Sequence, residues 1–172
     1  MAVVDGFFID YSVKKLRLLT GRIEACVAKL TPEQIWLRGG ENENAVGNLI
    51  LHLAGNVRQW IVAGVGDQPD TRDRESEFRA RGGVSIPQLT ALLRDTVDQA
   101  VDVIGRLAPE RLEDPLVIQG YPVSRLEAVY HVVEHFSMHT GQIIFATKML
   151  TGSDLGFYRH LQSAAPHRQP TP

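Results

Sequence analysis

The sequence predicts an all-α protein, a four-helix bundle with a long crossover between its second and third helices. Four long stretches carry apolar residues at spacings of three and four, and no convincing period-2 stretch competes with them. Between the second and third stretches lies a polar, Gly-containing segment, 64–83, that is too long for a tight hairpin and fits a bundle crossover. The chain has 172 residues, of which 44% are apolar, enough for one core to form without disulfide or metal support. A metal in such a chain would therefore point to function.

The first helix is expected from about Gly6 to Leu30, where Phe8, Tyr11, Leu19, Ile23, Cys26 and Leu30 recur as one buried stripe. Thr31 ends it, and Thr31-Pro32-Glu33-Gln34 has the capping hydroxyl, early proline and Gln that open a further short turn. A loop through Gly39, Gly40 and the polar run Glu41 to Asn44 leads to the second helix, Ala45 to Val65. From Gly64 to Gly83 the composition shifts to Asp, Arg, Glu and Gly, with only Val65 and Phe78 as large apolar residues, which reads as a surface crossover. Ser85-Ile86-Pro87-Gln88 repeats the capping logic and opens the third helix, to about Leu107, with Leu89, Leu92, Leu93, Thr96, Ala100, Val103 and Leu107 turned inward. Ala108-Pro109-Glu110-Arg111 breaks it, and Glu113 to Val123 reads as a loop. Ser124, with Glu127 reaching back, caps the fourth helix, which Thr151-Gly152 stop after about Leu150. One domain is expected over residues 1–163, followed by a disordered tail, 164–172, with three prolines. Leu30 to Ile35 echoes Leu107 to Leu112; two helix pairs related by a pseudo-twofold would produce the echo, and so would chance.

Charge excludes some partners. Eighteen Lys and Arg against twenty Asp and Glu leave a formal charge of −2, no basic field for nucleic acid or anionic lipid. The lone Cys26 sits in an apolar helical pattern, where a buried inert thiol is expected and a cytoplasmic setting follows. Met1 to Ile9 lacks the basic start of a signal peptide, and no apolar run approaches the ~20 residues of a membrane span.

The histidines carry the chemistry. His131, His135 and His139 fall at four-residue steps on the fourth helix, hence on one narrow face, each about 6 Å above the last. Neighbours in that row can share one ion, but His131 and His139, about 12 Å apart along the axis, cannot both reach it through bonds of about 2.1 Å. Flanked by Val132, Val133, Phe136 and Ile143, the row points along the bundle interior, where unpaired imidazoles would be costly. On the second helix Asn48, His52, Asn56 and Gln59 form a polar stripe expected to face it, with Asn48 and Asn56 assigned to the cofactor site on either side of His52. His160 and His167 read as ordinary packing or solvent residues. Glu134, about 100° from His135, reads as a solvent-facing charge. Arg72, Arg74, Arg79 and Arg81, interleaved with Asp70, Asp73, Glu75 and Glu77, read as a self-compensating solvated loop rather than an anion site.

The segments Asn48-Leu49-Ile50-Leu51-His52-Leu53-Ala54-Gly55-Asn56 and Val133-Glu134-His135-Phe136-Ser137-Met138-His139-Thr140-Gly141-Gln142-Ile143 together resemble the DinB-like family. The stretch Arg72-Asp73-Arg74-Glu75-Ser76-Glu77-Phe78 looks like one of its uncharacterised bacterial subfamilies. The resemblance spans Asp10 to Leu150. It implies a four-helix bundle with the crossover described, often a homodimer, and a divalent metal held by three histidines. Carried over by position, the ligands are His52, His135 and His139, and His131 is a pocket residue one turn away. The family includes bacterial thiol S-transferases and a thiol-dependent maleylpyruvate isomerase. The small Thr140 and Gly141 after His139, against bulky Tyr130 before His131, favour the same pair from the fourth helix.

Three imidazoles leave a coordination position open, as catalytic sites do. The expectation is a metal-dependent enzyme, with Zn²⁺ or Ni²⁺, transferring a low-molecular-weight thiol to an electrophilic small molecule, and with His131 as catalytic residue beside the ion. The alternatives are a metal-assisted hydrolase and a non-catalytic, stress-related metal-binding bundle. A homodimer is expected, with Trp36, Trp60 and Ile61 as surplus apolar residues.

Overall fold

The structure, a computed structural model, describes residues 2–162, so the expected tail at 164–172 lies outside the described residues. It is an all-α bundle of four long helices: α1 (Ala2–Val27), α2 (Val46–Val57), α4 (Ile86–Gly105) and α5 (Arg125–Thr151). The short helix α3 (Arg74–Arg79) lies in the crossover, and a two-stranded hairpin, β1 (Pro115–Ile118) with β2 (Tyr121–Ser124), precedes α5. The principal helix contacts run in the ring order α1–α4–α2–α5, so consecutive α1 and α2 sit diagonally. The core between them holds Leu16, Ile23, Leu53, Leu93, Ile104, Val132 and Phe136, all buried. No helix among the described residues is long and apolar enough to cross a membrane.

Local sequence explains the helix ends. Ser124 Oγ accepts from the Glu127 amide at 3.2 Å while Glu127 Oε2 accepts from the Ser124 amide at 2.7 Å, and Gln88 Oε1 likewise accepts from the Ser85 amide at 2.9 Å. Gln34 and Thr31 make the same exchange ahead of a 3₁₀ turn, Gln34–Trp36, and its sequence echo yields a second one, Pro109–Arg111. Gly152 ends α5 in the left-handed conformation with φ 63°.

Several expectations need correction. The second helix does not continue to Val65 in α form: from Arg58 to Val65 it is a π-helix, closing with the Gly66 amide on Ile61 O at 2.8 Å. Trp60 and Ile61, three and four positions beyond buried Val57, lie in the core. They and half-buried Trp36 are therefore not the surplus apolar surface expected of a dimer face. Tyr11 and Leu92, expected inside, are exposed, whereas Cys26 is fully buried as expected. Glu113 to Val123 is not simply a loop. Gln119 and Gly120, both at positive φ (55° and 81°), form the two-residue turn that joins antiparallel strands, and Ile118 from this hairpin packs into the core. The crossover is not simply a solvated loop either: Asp73 caps α3 by accepting from the Ser76 amide at 3.1 Å, and α3 packs on α2.

Candidate metal centre

Helix α2 presents His52, and α5 presents His131, His135 and His139, from facing positions of the bundle. The four-residue row on α5 lies along one face as its period dictates, with ring centroids 5.5 Å apart for His131 and His135 and 4.5 Å for His135 and His139. His135 Nε2 lies 3.2 Å from His52 Nε2 and 3.2 Å from His139 Nε2. The ligand atoms of His52, His135 and His139 are all within 4.8 Å of one another.

The other ring nitrogens decide what those atoms can do. His52 Nδ1 is 2.9 Å from Glu77 Oε2. A carboxylate only accepts, so at the shorter contact the proton sits on Nδ1, with Arg72 Nη2 also 3.1 Å from that nitrogen, and Nε2 keeps a lone pair. Burial alone would raise the Glu77 carboxyl, but hydrogen bonds from Arg72 and then His52 hold it below the usual carboxylate range. Arg72 grips Glu77 with two bonds, Nε to Oε1 at 2.7 Å and Nη2 to Oε2 at 2.9 Å, and both side chains are buried. Arg72 also donates to Gln59 Oε1 at 2.9 Å, and Gln119 from the hairpin turn donates to the same oxygen. His139 Nδ1 is 2.7 Å from Gln142 Oε1, which again fixes the proton on Nδ1 and frees Nε2. Burial, followed by the neighbouring charges of His139, His52, His131 and Arg72, pushes His135 down to about 3, so it is neutral at physiological pH. Burial also lowers His139 and His131, opposed at His139 by the Gln142 hydrogen bond and at His131 by Glu134.

These residues fit a divalent ion. Tetrahedral bonds of ~2.1 Å to imidazole place donor nitrogens roughly 3.4 Å apart, close to the spacings observed around His135. Neutral rings with freed Nε2 atoms suit Zn²⁺, Ni²⁺, Cu²⁺ and Fe²⁺ alike. His52 is buried, and His135 and His139 are half-buried.

The remaining residues named from the sequence fall in different places. His131 stacks on Trp60, centroids 4.0 Å apart, with Asn56 Nδ2 at 3.5 Å from its Nε2. Asn56 Oδ1, Trp60 Nε1 and His135 Nδ1, one from each residue touching His131, are buried without a partner. Asn48 is one turn from His52 but spends its carboxamide on the fold. It accepts from the Ala45 amide and Arg38 Nη2, at 3.2 and 2.6 Å, and donates to Glu77 O and Ala80 O, at 2.8 and 2.9 Å. It pins the crossover to α2 and has no free group for a ligand. Glu134 is exposed. The Arg72–Glu77 pair is what the sequence reading missed. Its signal was Gly55 inside a helical pattern: a Cβ there would meet Glu77 Oε1 at 1.9 Å and Arg72 Nε at 2.9 Å, so only glycine lets the pair approach α2.

Over residues 5–161 the sequence matches the family described as "Protein of unknown function (DUF1572)". No curated protein matches it. A conserved protein from Enterococcus faecalis, known from its crystal structure, has the same fold, with a TM-score of 0.71 at 19% identity over 84% of this chain and 97% of that one.

Proposed function

The chain belongs to the DUF1572 family, and from its own site we propose that it is a metal-dependent enzyme of the DinB-like superfamily that transfers a low-molecular-weight thiol to an electrophilic small molecule. The convergence of three histidine Nε2 atoms on one point carries this reading. His52, His135 and His139 hold the ion, Zn²⁺ or Ni²⁺. When bound, it supplies Lewis acidity that favours the deprotonated form of a thiol at neutral pH. The chain's own residues prepare the site. Glu77 and Gln142 fix the tautomers of His52 and His139, and the Trp60 face fixes the His131 plane. His131, kept neutral by burial, is the catalytic residue and takes the thiol proton. The unpartnered Asn56 Oδ1 and Trp60 Nε1 supply an acceptor and a donor beside it for a polar group of the reactants. Asn56 belongs to the site, whereas Asn48 serves it only through the crossover. Hydrolysis is the less favoured chemistry, because Glu77, the carboxylate at the trio, is held by Arg72 and Glu134 faces solvent.

Metal-loaded protein is expected to accelerate consumption of small thiols by a panel of alkyl and aryl electrophiles at least tenfold over chelator-stripped protein. Equal rates with and without metal would replace this reading by the non-catalytic, stress-related bundle.

A homodimer belongs to the same proposal. Val4, Phe7, Tyr11 and Leu18 of α1 and Tyr130 and Met138 of α5 are exposed on neighbouring helices, with Phe7 and Tyr130 at 70% and 62%. Light scattering at micromolar concentration is expected to give twice the 19.1 kDa of one chain, and a monomer would count against it.

A further inference from the structure

A cavity of about 580 Å³ opens between the start of α2, the chain preceding it and the last turns of α5. Leu37, Val46 and Leu49 form one wall, and Phe145, Met149 and Leu150 the other. Gln142 also lines it, and the same Gln142 accepts the hydrogen bond from His139 Nδ1, so the cavity lies on the far side of the His139 ring from the converging Nε2 atoms, one hydrogen bond from a member of the trio. Leu49 lies one turn before His52, so the opposite wall belongs to the helix that carries the other ligand. The volume is that of small-molecule sites, about 300–1,000 Å³, and apolar walls leading to a few polar groups are their usual composition.

The charges at the rim select against an ionic ligand. Arg38 and Glu43 are of opposite sign and leave the rim without net charge: Arg38 Nη2 donates to Asn48 Oδ1 and to the Phe78 and Ala80 carbonyls while its buried Nε has no partner, and Glu43 accepts from the Gly39 amide. A ligand charge placed among the leucines would lose its hydration without a partner.

Resting on the reading of the trio as the reacting centre, we propose that this cavity binds the uncharged alkyl or aryl body of the electrophilic substrate, with its single polar, reactive end at Gln142. The site thereby takes hydrophobic electrophiles in preference to polar ones of the same reactivity.

The test uses inert probes and the full chain, with and without metal. Methyl chemical shifts are followed by NMR during titration with 1-butanol, 1-hexanol and 1-octanol, and with 1,8-octanediol, whose second hydroxyl must enter the apolar end. Saturable shifts are expected at Leu37, Val46, Leu49 and Met149, with affinity rising about fourfold per added methylene. The diol should bind about tenfold more weakly than octanol. Ala146→Trp, which fills the cavity from half-buried Ala146 on α5, is expected to weaken octanol at least tenfold with metal content unchanged. Met149→Ala, at an exposed position where folding is not at risk, should weaken it several-fold. The proposal is overturned by an absence of saturable shifts, by affinity independent of chain length, by shifts on the outer face of α1 instead, or by wild-type octanol binding in both variants. A chain that binds octanol as expected but holds no metal would overturn the metal-centre reading and leave the cavity assignment standing.

Discussion

His135→Ala is expected to fold and to lose its metal. His135 Nε2 is the atom 3.2 Å from both other ligand nitrogens, so its removal leaves His52 and His139 without the donor between them. Two imidazoles from separate helices hold a divalent ion far less tightly than three, and elemental analysis should fall from about one ion per chain to about a tenth or less. The fold should survive. Alanine is the best helix former, the ring is half-exposed, and buried Phe136 and Val132 keep α5 in the core. His131→Ala should retain the ion and lower turnover, because the ring leans on Trp60 and Asn56 rather than on the trio's shared point. Full occupancy in His135→Ala would sink the site. Metal lost with His131→Ala and kept with His139→Ala would mean that α5 uses its other histidine pair.

The second large effect belongs to the crossover. Arg72→Ala removes the cation that meets Glu77 in two hydrogen bonds, with side chains 4% and 8% exposed, and strands a carboxylate beside His52. Breaking one half of a buried ion pair costs about 3–5 kcal/mol, which for a chain of this size lowers Tm by roughly 10 °C. Urea unfolding would read the loss directly. The paired replacement Arg72→Met with Glu77→Leu leaves no stranded charge and should recover most of it. It would still lack the acceptor for His52 Nδ1, so metal affinity should stay about 10–100-fold reduced. A single variant as stable as wild type would mean that the pair contributes nothing net to the fold.

The bundle and the histidine geometry were legible because both are periodic. A four-residue step fixes which rings share a face, and Ser85, Ser124 and Glu127 announce helix starts through local hydrogen bonds. The features that were not legible arise where that logic is broken or where partners are distant. The i→i+5 bonding of Arg58–Val65 leaves no mark on the pattern, since Trp60 and Ile61 continue the buried face of Leu53 and Val57, and the expectation of surplus apolar residues there followed only from their place near a helix end. Strands of four residues containing Pro115 and Pro122 are too short to show alternation. Among four interleaved arginines and four acids, composition could not say that Arg72 and Glu77 turn inward. That depended on room left by Gly55, on another helix. Metal identity and substrate are not encoded in helical period at all, since several ions accept the same imidazoles.

The two histidine-bearing helices lie on opposite sides of the crossover, with His52 and His135 separated by 83 positions. Neither half of the sequence holds a complete ligand set, so the ion can be bound tightly only after both halves have docked. Cut between α3 and α4, near the exposed Gly83, the chain becomes two fragments, and metal uptake becomes a reporter of their reassembly. The piece with α1 to α3 carries His52 together with its Arg72–Glu77 support, and the piece with α4 and α5 carries the remaining ligands. The trio is thus expected to act as a split reporter, taking up no metal in either fragment and regaining it on complementation.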